Sequence, residues 1–118
     1  MSEHWPSELR LNAGKDRLIV TFESGERIEL SAEYLRTHSP SAEVKGHGAE
    51  KMPPVGGKRH IRIADVVPIG NYAARIVFDD GHDTGLFTWS YLHELGRTQG
   101  VRWPAYLEEL AAHGMQRE

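Results

Sequence analysis

The chain has no cysteine among its 118 residues, and that absence removes several chemistries together. Disulfides, thiolate nucleophiles and all-cysteine zinc or iron-sulfur sites cannot form. Any metal must therefore be held by imidazole and oxygen. Long apolar runs are missing too. No segment approaches the roughly 18 consecutive apolar residues that span a bilayer, and the opening M-S-E-H-W-P-S-E has neither the basic stretch nor the apolar run of a secretion signal. A cytoplasmic protein with no membrane contact is expected. Basic charge is scarce: 14 Lys and Arg against 17 Asp and Glu give a net charge of -3 with histidine neutral. Nucleic-acid binding rests on clustered cations that neutralise phosphates, so this balance argues against it. The densest basic stretch, Lys58, Arg59, His60 and Arg62, reads as a solvated strand edge. Two catalytic signatures are also absent. There is no G-x-S-x-G elbow, and V-G-G-K at Val55 to Lys58 lacks the length and the hydroxyl of a phosphate loop.

What is present is ordinary globular material, 39% hydrophobic and 26% charged. One domain over residues 1–118 is expected, with its core at about 8–112. Leu9 and Leu11 alternate with Arg10 and Asn12, and Leu18, Val20 and Phe22 alternate with Arg17, Ile19 and Thr21. With the turns at Asn12-Ala13-Gly14 and Glu23 to Glu26, and a third run from Arg27 to Leu30, this predicts an antiparallel meander. Ser31 is a good N-cap for a short helix from Ala32 to Thr37, with Glu33 favoured in its first turn and Tyr34 and Leu35 inward. Ser39-Pro40 starts a second single turn that Gly46 ends. Residues 46–58, rich in Gly and Pro, cannot be regular and predict a flexible loop.

A strand from His60 to Val67, ended by Pro68, leads into the most legible stretch, Gly70 to Trp89. Tyr72, Ala74, Ile76 and Phe78 alternate with Ala73, Arg75 and Val77 as a half-buried strand does. Asp80-Gly81 predicts a tight hairpin with a primed turn, returning through Thr84 to Thr88. After Trp89 the period becomes helical, with Ser90 as cap and Tyr91, Leu92 and Leu95 as a stripe that Gly96 weakens and Gly100 stops. Pro104 opens a last helix, with Tyr106, Leu107, Leu110 and Ala111 on one face, and Gly114 ends it. The expected fold is α+β: an antiparallel meander and hairpin, short helices, and two C-terminal helices packed on the sheet.

The candidate chemistry sits at the hairpin. D-D-G-H-D, Asp79 to Asp83, places three carboxylates and an imidazole within five residues, a fragment suited to a hard or borderline metal. The His-x-Asp spacing of nonheme iron oxygenases is not met, because Asp83 follows His82 directly and Thr84 comes next. No nucleophile motif accompanies it, so a non-enzyme is expected, with a small enzyme of unknown reaction as the remotest alternative. Exposed parts of Trp5, Trp89 or Trp103 and the 46–58 loop are candidate docking surfaces.

L-R-T-H-S-P-S-A at Leu35 to Ala42 and G-N-Y-A-A-R-I-V-F-D-D-G-H-D-T-G-L-F-T-W at Gly70 to Trp89 resemble the DUF971 family, also called the gamma-butyrobetaine hydroxylase-like N-terminal domain. The resemblance runs from about Leu9 to Leu110. In the carnitine-pathway hydroxylases this domain precedes a catalytic jelly roll and holds a structural zinc through three cysteines and a histidine. Similar domains occur alone in bacteria and fused to P-loop ATPases that carry iron-sulfur clusters. The resemblance implies a noncatalytic binding or accessory module, with an iron-sulfur carrier ATPase or an oxygenase as protein partner. It places the zinc cysteines on Ser39, Ser41 and Val44 and the histidine on His82. Only the histidine remains, and serine and valine cannot replace thiolates. The alternative is a weak divalent metal site, zinc or iron, built from His38, His82 and either Asp83 or Glu43.

Overall fold

The computed structural model describes residues 5–40 and 54–118. Two three-stranded antiparallel sheets and three helices make an α+β fold. The first sheet is the predicted meander, β1 (Pro6–Leu11), β2 (Arg17–Phe22) and β3 (Arg27–Ser31), in that spatial order. α1 (Ala32–Thr37) follows directly, and its Ser31 hydroxyl accepts the Tyr34 N–H at 3.0 Å, as an N-cap should. The second sheet is β4 (Ile63–Ile69), β5 (Ala73–Phe78) and β6 (Leu86–Thr88), with β5 central. α2 (Trp89–Arg97) lies against β3 and β6, and α3 (Gln99–Ala112) packs on α2.

One apolar cluster joins the layers. Leu18, Val20 and Phe22 from β2, Leu30 from β3, Tyr34 and Leu35 from α1, Ile76 and Phe78 from β5, Phe87 from β6, and Leu92 and Leu95 from α2 are all essentially inaccessible. The Tyr34 hydroxyl, sealed inside, donates to the Leu95 carbonyl at 2.7 Å and so ties α1 to α2. Gly96, which weakens a helix in isolation, is there for contact. A Cβ on it would stand 2.8 Å from Ile28 Cδ1, so its bare backbone sets how closely α2 approaches the meander.

Several boundaries differ from the sequence expectation, each for a local reason. β4 starts at Ile63 instead of His60, because the Ile61 amide bonds the Lys58 carbonyl at 3.2 Å and the Arg59 amide bonds the Arg117 carbonyl at 2.9 Å. It runs through Pro68, which has no N–H to give to a ladder and is tolerated because β4 is an edge strand, paired with β5 alone among the described residues. Thr88, not Ser90, caps α2: its hydroxyl accepts the Tyr91 N–H at 3.0 Å. α3 begins at Gln99, so Gly100 does not stop it and Pro104 lies inside. There Pro104 removes only the bond to the carbonyl of first-turn, exposed Gly100. At the far end the Met115 amide reaches the Leu110 carbonyl and the Gly114 amide the Ala111 carbonyl, at 2.8 and 3.0 Å, with Gly114 at φ 65°. This is the left-handed glycine stop expected there.

Candidate functional site

The hairpin after β5 is a three-residue loop, not the primed two-residue turn. The Gly81 amide bonds the Phe78 carbonyl at 3.1 Å, the Phe78 amide bonds the His82 carbonyl at 2.9 Å, and of the turn residues only Gly81 has positive φ, 90°. That is a type I turn closed by a glycine bulge. The bulge adds a residue to the return: three steps separate Arg75 from Phe78, while four separate their partners Leu86 and His82. His82 through Gly85 consequently lie outside the regular ladder.

His82 reaches the end of α1, where its Nε2 stands 3.1 Å from the Ser39 hydroxyl. Gly85 makes the approach possible. A Cβ there would overlap the Ser39 Oγ and stand 3.1 Å from Phe87 Cε1. The carboxylates of the turn hold the loop itself. Asp79 Oδ1 accepts the Arg62 amide at 3.1 Å. Asp80 accepts from Lys58 Nζ at 2.6 Å, from Arg36 Nε at 3.0 Å and from the His82 amide at 3.0 Å. Its partial burial would by itself raise the pKa, but the bonds from Lys58, the His82 amide and Arg36 outweigh it and bring it to about 2. Asp80 is a fixed anion that pins the hairpin to α1 and to the chain around Lys58.

His38 caps the C-terminus of α1. Its Nδ1 lies 3.0 Å from the Tyr34 carbonyl and 3.1 Å from the Thr37 hydroxyl. A carbonyl only accepts, so Nδ1 carries the proton and, in the neutral ring, Nε2 carries the lone pair. Burial pushes the imidazole pKa below its usual value, against the opposing pull of the Tyr34 carbonyl. The Tyr91 hydroxyl donates to the His38 carbonyl at 2.6 Å, which fixes the turn where the helix ends.

An open cavity of about 760 Å³ lies between this helix end, the hairpin loop and α3, lined by Arg36, His38, Ser39, His82, Arg102 and Tyr106 among others. Tyr106 donates its hydroxyl to the Val55 carbonyl at 2.5 Å, and burial raises its pKa to about 12, so it remains a donor. Arg102 bonds the Thr98 hydroxyl at 2.7 Å and faces Glu94 at 3.5 Å.

His38 and His82, the two predicted imidazoles, thus line one cavity. Asp83 is not part of its lining; it is exposed and faces Arg75 at 3.9 Å. Glu43, Ser41 and Val44, and most of the 46–58 loop, lie outside the described residues. Among the described residues no three His, Asp or Glu side chains converge as a metal would require. Of the positions that correspond to the family's zinc donors, Ser39 and His82 are described, and there a hydroxyl meets the imidazole. This part of the set does not fit a thiolate-type zinc centre. Tyr106, Arg102 and Arg36 were not legible as site residues. On an amphipathic helix a tyrosine reads as core, and no local pattern shows that its hydroxyl will reach a loop some fifty positions away.

The fold and this cavity describe a small α+β module with a pocket whose polar groups are held by neighbouring backbone. Residues 9–93 match the gamma-butyrobetaine hydroxylase-like N-terminal family, and the chain belongs to it. No curated protein matches. Two proteins with NMR solution structures share its fold, one 42% and one 41% identical, each with a TM-score of 0.85 over 99% of this chain, covering 92% and 87% of their own lengths. A crystal structure of a DUF971 family protein of unknown function from Acidithiobacillus ferrooxidans is 35% identical, with a TM-score of 0.65, over 80% of this chain and 98% of its own.

Proposed function

We propose that this chain is a noncatalytic accessory domain that docks a protein partner on the face carrying the His38–His82 cavity. One observation carries the reading: three ionisable groups around the cavity, Asp80, His38 and Tyr106, are committed to holding its shape. Asp80 is bound by two cations and an amide, the His38 ring by its own helix, and Tyr106 by the Val55 carbonyl. Such groups form a preorganised binding surface. A partner in iron-sulfur protein maturation, such as a P-loop carrier ATPase, or an oxygenase suits the family's domain combinations. Calorimetric titration of the chain with a purified carrier ATPase tests this. Saturable binding that weakens in a folded Tyr106→Phe, His82→Ala variant supports docking at this face. Absence of binding to both the ATPase and an oxygenase overturns the partner assignment.

A second reading, a divalent cation held by His38 and His82 with Glu43, is favoured only by the two imidazoles lining one cavity. Titration with zinc, nickel or ferrous ion, followed by the imidazole NMR signals, checks it. Unchanged His38 and His82 signals at millimolar metal remove it.

A further inference from the structure

Among the described residues the two sheets have four outer strands, β1, β3, β4 and β6, and these are not equally closed. In β4 the outward amides are blocked. Ile76 turns its N–H away from β4, to the Gly85 carbonyl at 3.4 Å, so Val66 opposite it turns its own N–H outward. There the Asp65 carboxylate takes it at 2.9 Å, and Pro68, two residues on, has no N–H to offer. β6 is only three residues long, and the inner face of β3 is covered by α2, whose Gly96 lies against Ile28. β1 has only Pro6 and the bulge at Ser7, both at its first end.

The rest of β1 is an open edge. The Asn12 amide bonds the Arg17 carbonyl at 3.2 Å. Counting back in twos through the register, Arg10 bonds to Ile19 and Glu8 to Thr21, so Leu9 and Leu11 turn their N–H and C=O groups outward. Their side chains reach the margin of the apolar cluster and stay half-buried. On the opposite face Glu8 and Arg10 are exposed and opposite in charge, and neither meets an ion pair or a side-chain hydrogen bond among the described residues.

From this we infer that β1 is a self-pairing edge: a second copy of the chain lays its own β1 antiparallel to this one, about a twofold axis at Leu9, and the two meanders become one six-stranded sheet. Leu9 then exchanges two backbone bonds with the partner's Leu9, and the paired leucines extend the apolar layer. Glu8 stands opposite the partner's Arg10, and Arg10 opposite the partner's Glu8, at non-hydrogen-bonded positions where side chains come closest. Charge selects this register. An axis at Arg10 would set two arginines face to face, which is destabilising. Glu8-Leu9-Arg10 is thus its own complement, as an isologous interface requires, and a second copy is the occupant this edge fits. β1 supplies none of the lining of the His38–His82 cavity, so docking there is a separate event.

The experiment is a dilution series of the whole chain, from about 1 mM downward, because a single strand pair is a small interface of the weak class. Sedimentation reads the mass and NMR reads the amides. The expected result is a monomer–dimer equilibrium with concentration-dependent shifts at the Leu9 and Leu11 amides, weakened by salt. In Glu8→Lys and in Arg10→Glu the association constant should fall by about fivefold or more, because both cross-strand pairs become like-charged. An equimolar mixture of the two variants should regain it, since every altered side chain then meets an opposite charge. A chain that stays monomeric at about 1 mM overturns the proposal. So does a dimer whose shifts fall outside β1, or whose affinity is the same in both variants as in the parent.

Discussion

Removing Arg117 should be among the costliest changes available outside the apolar core. Its guanidinium forks onto the Glu33 carboxylate at 2.9 and 2.7 Å, and the Glu33 side chain is only 6% exposed against 35% for Arg117. Breaking a fully buried pair by deleting one partner costs about 3–5 kcal/mol, because the other charge is stranded. An exposed pair contributes about 1 kcal/mol or less. Glu33 belongs to the first case and Arg117 stands between the two, so Arg117→Ala should destabilise by roughly 2–3 kcal/mol. The side chain also steadies a strap. The Gln116 and Arg117 carbonyls accept the Gly57 and Arg59 amides, both at 2.9 Å, and those two amides should exchange faster in the variant.

Urea unfolding measures this directly. With a slope near 1.5 kcal/mol per molar, within the usual range for a small domain, the midpoint should fall by about 1.3–2 M at unchanged slope. Arg117→Met combined with Glu33→Leu should recover most of the loss, since no stranded charge remains. If Arg117→Ala alone stays within about 0.5 kcal/mol of the parent, as a neutral surface substitution does, the buried-pair argument is refuted.

Two more outcomes follow from the hairpin. Asp80 has a folded pKa near 2, below its ordinary 3.8. Its bonds therefore add stability that is present above pH 4 and is lost as pH falls through 2; Asp80→Asn should flatten that acid limb and lower neutral-pH stability by about 1–2 kcal/mol, read by pH-dependent thermal unfolding. Gly85→Ala should cost about 1–3 kcal/mol through overlap with the Ser39 hydroxyl, and Ser39→Ala in the same chain should restore much of it. If the second substitution restores nothing in denaturant unfolding, the overlap is not the cause.

Much of the architecture was legible because its signals are local. The alternation of Leu18, Val20 and Phe22, the Ser31 cap and the Gly114 stop each act within a few residues, and each appears where the pattern placed it. Two of the errors fell where local signals competed. At Asp80-Gly81 the sequence suits a primed turn as well as a bulged one. At Thr88 and Ser90 two hydroxyls could cap, and the one placed at the end of β6 does so.

The site was legible only in part, because it is made by long-range closure. His38 and His82 could be named from their motifs. Nothing local joins Glu33 to Arg117 across 84 positions, or Tyr106 to Val55 across 51. Glu33 shows the difference most sharply. Its place in the first turn of α1 suits the helix dipole, which predicts an exposed carboxylate worth a few tenths of a kcal/mol. The structure instead buries it beneath the returning tail, where its charge holds Arg117 and the strap whose carbonyls accept the Gly57 and Arg59 amides. Glu33→Gln therefore separates the two roles. If only the dipole mattered, Gln would be nearly neutral. If the strap depends on the charge, the Gly57 and Arg59 amides should exchange faster as well.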